Sequence, residues 1–248
     1  MKDRNLIVFS FAIIIGLTLA SIILGRSIER FRSADRYISV KGFSEHEVKS
    51  DFAVWTIKTR IANNDLSEGS KSIENAKNQV IDFLLRNGID QNEIIQKDLI
   101  VNDKKAQEYG NNIGDSYRFI IDKTIQVRSK DVDNIEKVSR MTDDLLKAGV
   151  VISNTNDFQG SVKYIYTKLN EIKPSMLTEA TKNAENAAKQ FAIESNTKLG
   201  KLKKANQGLF TILDRDQSLS GQDGYYAMTG SDMYKRVRVV VNIDYSIK

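Results

Sequence analysis

The 248-residue sequence predicts an α+β fold: mostly antiparallel sheets with about three packed helices, behind one N-terminal transmembrane helix. Three observations carry this. An uncharged run, Leu6–Leu24, stands at the start. Stretches that alternate apolar and polar residues recur through the rest, and segments with apolar residues at helical spacing lie between them. No long linker divides residues 37–248, which are expected to form the α+β body.

Residues 1–5 are a short leading segment with Lys2 and Arg4. Leu6–Leu24 holds nineteen uncharged residues. At about 1.5 Å per residue such a helix runs roughly 28 Å, close to the hydrocarbon thickness of a bilayer. A cleaved secretory signal is the rival reading. The run is longer than a signal core, however, and the small-residue step Thr18-Leu19-Ala20 is followed by more apolar chain, Ser21-Ile22-Ile23-Leu24. The expectation is an uncleaved signal-anchor bounded by Leu6 and Leu24, then a charged stalk over 25–36. Arg26, Arg30, Arg32 and Arg36 outnumber the leading cations, which by charge alone would keep the body inside. A very short leading segment favours export, and an exported body is the reading adopted.

Within the body, Tyr37–Lys49 and Phe52–Ile61 alternate and suit paired strands, with Ser50-Asp51 as the turn. Leu66–Asn87 carries Ile73, Ala76, Val80 and Leu84 on one helical stripe and ends at Asn87-Gly88. Ile94–Lys105 and Tyr117–Arg128 read as strands around the loop Gln107–Ser116. Asp131 is an N-cap for a second helix, with Val132, Ile135, Val138 and Leu145 inward and Ala148-Gly149 at its end. Val150–Ser153 and Ser161–Tyr166 read as strands. A third helix is expected from Pro174 to about Ser195, since proline costs nothing in a first turn. Its inward face would hold Leu177, Ala180, Ala184, Ala188 and Phe191. Leu202–Asp214 and Tyr234–Ile247 finish as strands around the glycine-bearing excursion Gln217–Met233.

The first 36 residues hold six basic and three acidic side chains. Of the 37 and 32 in the whole chain the body therefore keeps 31 and 29, a net charge of +2 against +5. A nearly neutral body with mixed signs does not suit nucleic acid, which asks for a clustered basic face. With no cysteine, the chain has no disulfide, thiol nucleophile or thiolate metal site.

Several short stretches match one family in order and spacing. Val40-x-Gly42-x-Ser44 followed by Asp51-x-Ala53 resembles the opening strands of the SIMPL domain, or DUF541, of bacterial envelope proteins. Leu84 to Gly88-Ile89 with Glu93-Ile94, Tyr117-Arg118 and Asp131-Val132-Asp133 are similar to its first helix exit, returning strand and second helix start. Ala184-x-x-x-Ala188-x-x-Phe191-Ala192 with Lys198-Leu199-Gly200-Lys201 resembles its alanine-rich helix and the step into the next strand. Two positions depart: Ser50 stands where the family usually has proline, which implies a looser turn, and Asn196 where it usually has glycine. Asn tolerates the left-handed conformation, so that cap is expected to survive. The resemblance implies an envelope location, an α+β body, ring-like oligomers and an association with stress tolerance. It supplies no catalytic residue and no cofactor. With the anchor, it implies a single-pass protein of the bacterial inner membrane with its body in the periplasm, or a cleaved periplasmic form.

The remaining candidates weigh toward structure rather than chemistry. His46, the only histidine, shares a strand face with Val40 and Val48, while Glu45 and Glu47 point the other way, so no metal site is expected. Asp214-Arg215-Asp216-Gln217-Ser218 begins like a calcium loop but has Leu219 at the sixth position and Tyr225 at the twelfth, and reads as a solvated turn. Asp143-Asp144 diverge on a helix and read as surface charge, and Trp55 reads as core. Tyr109, Tyr225, Tyr226 and Met228 sit on glycine-flanked loops as candidate contact residues. Two functions follow as expectations. One is an anchored, non-enzymatic protein that associates with copies of itself, or with an unknown protein partner, through sheet edges or these loops. The other is a periplasmic small-molecule or glycan-binding module, or a hydrolase, with a pocket formed by distant residues.

Overall fold

The computed structural model describes residues 14–25, 36–106, 117–153, 162–217 and 230–247. Residues 14–25 are helical with exposed apolar side chains. The Thr18 hydroxyl donates to the Ile14 carbonyl (3.0 Å) and the Ser21 hydroxyl to that of Leu17 (2.8 Å). Such back-bonding satisfies a hydroxyl within an apolar helix. The start of the expected Leu6–Leu24 span lies outside the described residues. Among the described residues no helix is long and apolar enough to cross a membrane.

The body is α+β with antiparallel sheets. In order it runs β1 (Tyr37–Lys49), β2 (Phe52–Asn63), α1 (Leu66–Arg86), β3 (Ile94–Asp103), β4 (Phe119–Ser129), α2 (Val132–Ser139) and α3 (Asp143–Lys147). Then follow β5 (Val162–Ile165), α4 (Leu169–Glu194), β6 (Leu199–Gln207), β7 (Thr211–Asp214) and β8 (Tyr234–Ile247). The chain divides into two compact units whose boundaries fall inside β1, α4 and β8 and between β6 and β7: Met1–Glu45, Lys173–Phe210 and Arg238–Lys248 form the first, His46–Ile172 and Thr211–Val237 the second.

In the second unit the sheet order is β3-β4-β2-β5. β2 and β4 stay in unbroken antiparallel register from Ala53↔Ser129 to Asn63↔Phe119. Alternation sends Ala53, Trp55 and Ile57 to one face with Ile125 and Val127. There they meet Ala76, Val80, Phe83 and Leu84 of α1 and Val132, Ile135 and Val138 of α2. Burying a side chain such as Ile57 or Ile125 contributes about 1.5–3 kcal/mol. The Asp65 carboxylate caps α1 by accepting from the Ser67 (2.7 Å) and Glu68 (3.0 Å) amides. Gly88, at φ +80°, closes it, and the Ile89 amide reaches back to the Leu84 carbonyl.

The first unit is built by α4 lying on β1 and β8. Met176, Ala180, Ala184, Ala188 and Ala192, one per turn, are its buried residues. Gly42 of β1 faces this stripe: a methyl group there would fall on the Ala180 carbonyl and 2.8 Å from the Ala184 Cβ. Val40, Val239, Val241 and Ile243 complete the core. Two residues past the end of α4, Asn196 takes φ +52°. The Thr197 amide bonds the Ala192 carbonyl and the Asn196 amide that of Ile193, so the expected left-handed cap is present. Asn196→Ala is expected to cost about 1 kcal/mol, because alanine lacks asparagine's tolerance of that conformation. A chemical-denaturation midpoint unchanged by the substitution would count against this.

Several expected elements are corrected. β1 and β2 are not partners: β1 pairs with β8, and β2 with β4 and β5. A two-residue hairpin wants a left-handed residue in the turn, and neither Ser50 nor Asp51 is one. Nor is the Ser50 turn loose, since its amide donates to the Met233 carbonyl at 2.9 Å, a bond proline could not make. The second helix is broken at 140–142, where Arg140 and Met141 bond three residues back instead of four. Val150–Ser153 makes only a single bridge, Ile152 to Thr59. Leu202–Asp214 is two strands, parted where the Gly208 amide turns to the Val240 carbonyl. α4 begins at Leu169, so Pro174 lies inside it and removes one main-chain bond near its start. Phe191 is exposed and Leu177 half-buried, because the stripe repeats every fourth residue through Ala192.

Candidate functional site

Sheet edges differ sharply in how they are protected. A bare edge offers unpaired amides and carbonyls to another strand, and proteins blunt it with charge, bulges, brevity or cover. β6 carries Lys201, Lys203 and Lys204 and has two register shifts against β8. β5 has four residues, and its Tyr164 amide is taken by the Gly230 carbonyl at 2.7 Å. β1 lies under α4, where the Asn183 side-chain amide donates to the Phe43 carbonyl at 2.9 Å and the Ser44 hydroxyl to Glu179 at 2.7 Å.

β3 is different. It forms the outer strand of its sheet and is exposed over most of its length. One irregularity separates Gln96 from Leu99, after which Leu99–Asp103 pairs regularly with Lys123–Phe119 of β4. Leu99, Ile100 and Val101 are 50%, 55% and 44% exposed, so apolar side chains on both faces of the strand meet solvent. The flanks are fixed. Arg118 makes a two-pronged bond to Asp103 (3.1 and 2.9 Å), and Lys123 donates to the Lys97 carbonyl at 2.7 Å. Beside Ile100 in β4 stands Asp122, taken by Arg60 (2.6 and 2.9 Å) and Lys58 (3.2 Å). Arg60 first, against burial and aided by Lys58, holds its carboxyl below the usual range.

A second feature is the base of the excursion between β7 and β8. Asp214 is buried and pairs with the equally buried Lys235. It also accepts from the Gly230 amide (3.0 Å), the Ser231 amide (3.1 Å) and the Ser231 hydroxyl (3.3 Å). The carboxylate expected in a solvated turn is thus an internal clamp that ties both ends of the excursion together. Sequence reasoning missed it. The signal was Lys235 itself, which shares its strand face with Val237 and so demands a buried anion.

Next to the clamp an open cleft of about 550 Å³ is lined by Glu136, Arg140, Tyr164, Arg215, Asp232 and Tyr234, among others, all in the second unit. Its carboxylates already have cations. Glu136 binds Arg140 and accepts from the Tyr164 hydroxyl, and Asp232 lies 3.6 Å from Arg215. Burial, then Glu136, pushes the Tyr164 hydroxyl well above its ordinary value, so it remains a donor.

Of the residues singled out in the sequence, Leu6, Tyr109, Tyr225, Tyr226 and Met228 lie outside the described residues. Leu24 is exposed on its helix. His46 is half-buried on the Val40 side of β1, Trp55 is 2% exposed in the core, and Asp144 pairs with Lys147 on the surface. Among the described residues no group of acids and histidine is placed to hold a metal.

The residues that carried the family resemblance have architectural work. Gly42 admits α4, Ser44 bonds Glu179, and Ala53 is fully buried. Asp51 accepts from the Thr167 amide and hydroxyl, both at 2.6 Å. Burial opposes ionisation of Asp51, but these bonds outweigh it and hold the carboxyl below its usual range. Asp131 caps α2 through the Asn134 amide. No curated protein matches the chain. The SIMPL family model, described as a protein of unknown function (DUF541), matches residues 38–244, from the start of β1 to within β8. The chain belongs to the SIMPL (DUF541) family.

Proposed function

We propose that this protein is an envelope-anchored, non-enzymatic assembly protein that associates with copies of itself through its sheet edges. The observation that carries the reading is β3, a long outer strand with an exposed apolar run, where the other edges are charged, short or covered. The architectural roles of the family-motif residues support it, since they shape and pack the body. Anchorage in the bacterial inner membrane, with the body in the periplasm and a part in stress tolerance, completes the reading. Residues 14–25 support it: exposed apolar side chains on a helix suit a bilayer better than water.

Bacterial membranes carrying the full-length chain test this directly. The protein is expected to resist extraction by alkaline carbonate and, once in mild detergent, to give by light scattering a discrete mass of several chains. Release by carbonate would count against the anchor; the mass of a single chain would end the assembly reading. The cleft beside Tyr164 favours a second reading, a periplasmic module for a small or glycan ligand. That reading ranks lower, because Glu136 and Asp232 are engaged with neighbouring cations.

A further inference from the structure

The exposed run on β3 has a pairing preference written into it. We propose that two copies of this chain join β3 to β3 in antiparallel fashion about a two-fold axis at Ile100, fusing two four-stranded sheets into one. The inference rests on the assembly reading above and names its contact.

The argument is one of register. A two-fold axis makes the contact self-complementary, so each residue meets a residue of the same strand in the other copy. With the axis at Ile100, Ile100 faces Ile100 and Leu99 faces Val101 twice, all within the regular run Leu99–Asp103. Every apolar residue of the run then meets an apolar one. Moving the axis between Ile100 and Val101 would set Leu99 against Asn102. Moving it between Leu99 and Ile100 would bury Asp98 against Val101. An apolar residue set against a polar or charged one weakens a strand pair.

The strand is also ready geometrically. Leu99–Asp103 keeps a continuous register with β4, and the irregularity lies ahead of it, between Gln96 and Leu99. Leu99 and Val101 on one face and Ile100 on the other are each about half exposed, so the run presents apolar surface to a second strand on both faces. Added main-chain bonds would supply affinity, and the three side chains on alternate faces would supply register.

The absence of cysteine gives a clean test on the full-length chain in mild detergent. Opposed residues of an antiparallel pair have Cα atoms about 4.5–5.5 Å apart, within disulfide range. Diamide oxidation of Ile100→Cys is expected to give a disulfide-linked dimer, whereas Lys203→Cys on β6 stays single. Ile100→Lys, which sets two ammonium groups face to face, is expected to weaken the pair on the order of a hundredfold by dilution light scattering. Ile100 is more than half exposed, and unchanged Trp55 fluorescence verifies folding. A multimeric parent in which Ile100→Cys fails to cross-link and Ile100→Lys leaves the mass unchanged would overturn the β3 contact and leave the assembly reading standing. A parent that is a single chain at all concentrations would overturn both.

Discussion

Replacing Lys235 by methionine is expected to lower the stability of the second unit by about 3–5 kcal/mol, the range for stranding one partner of a buried ion pair. Methionine keeps most of the stem and removes the ammonium, leaving Asp214 ionised and enclosed with, among the described residues, the Gly230 and Ser231 donors. Asp214→Asn together with Lys235→Met should return to within about 1 kcal/mol of the parent, because a neutral pair no longer carries the cost of desolvating a charge. The Asn oxygen can still accept from the two amides. Urea denaturation followed by Trp55, the only tryptophan and a core residue of the same unit, reads both variants. The pH dependence supplies the sign. Burial opposes ionisation of Asp214, yet Lys235 and the two amides outweigh it and hold the carboxyl below its ordinary value. Such a group adds stability above its unfolded value of about 4, and that stability is lost as pH falls through the lower, folded value. The gap between parent and Lys235→Met should therefore be widest at neutral pH and close in acid. A gap that stays constant down to about pH 2 would mean that the lysine acts by packing alone.

Elements with strict periodicity were legible. β1 and β8 fall where alternation put them, and α1 runs between a capping aspartate and a left-handed glycine. Alternation names a face but not a partner, which is why β1 and β2, adjacent in sequence, could be read as paired when each pairs elsewhere. Helical stripes are plain where large residues mark them and blurred where alanines do: Phe191 has the spacing of an inward residue, but the buried residue beside it is Ala192. The clamp lay hidden for a different reason. Asp214 and Lys235 are separated by 21 positions, and the local string Asp-Arg-Asp-Gln has every mark of a turn. Burial of the aspartate is decided by the fold. The β3 edge was half-legible: Ile94–Asp103 lacks the alternation of a strand with one wet face, and that irregularity is what an outer strand exposed on both faces looks like in sequence.

Gly42→Ala is expected to cost about 3 kcal/mol, at the upper end of overpacking penalties, because the added methyl meets main chain and not a movable side chain. The nearest groups are the Ala180 carbonyl, the Ala184 amide nitrogen at 2.5 Å and the Ala184 Cβ at 2.8 Å. A flexible neighbour could swing away. Here α4 must lift off β1, which would also loosen the bonds from Ser44 to Glu179 and from Asn183 to the Phe43 carbonyl. Hydrogen exchange should register the change as lost protection in β1 and α4. Ala184→Gly by itself should cost about 1 kcal/mol of helix propensity. Combined with Gly42→Ala it should restore only part of the loss, since it removes the Cβ contact and leaves the two main-chain ones. Full rescue would mean that the alanine methyl alone sets the spacing. No loss at all in Gly42→Ala would mean that α4 slides freely on the sheet, and the alanine stripe would then have no packing reason to repeat at every turn from Ala180 to Ala192.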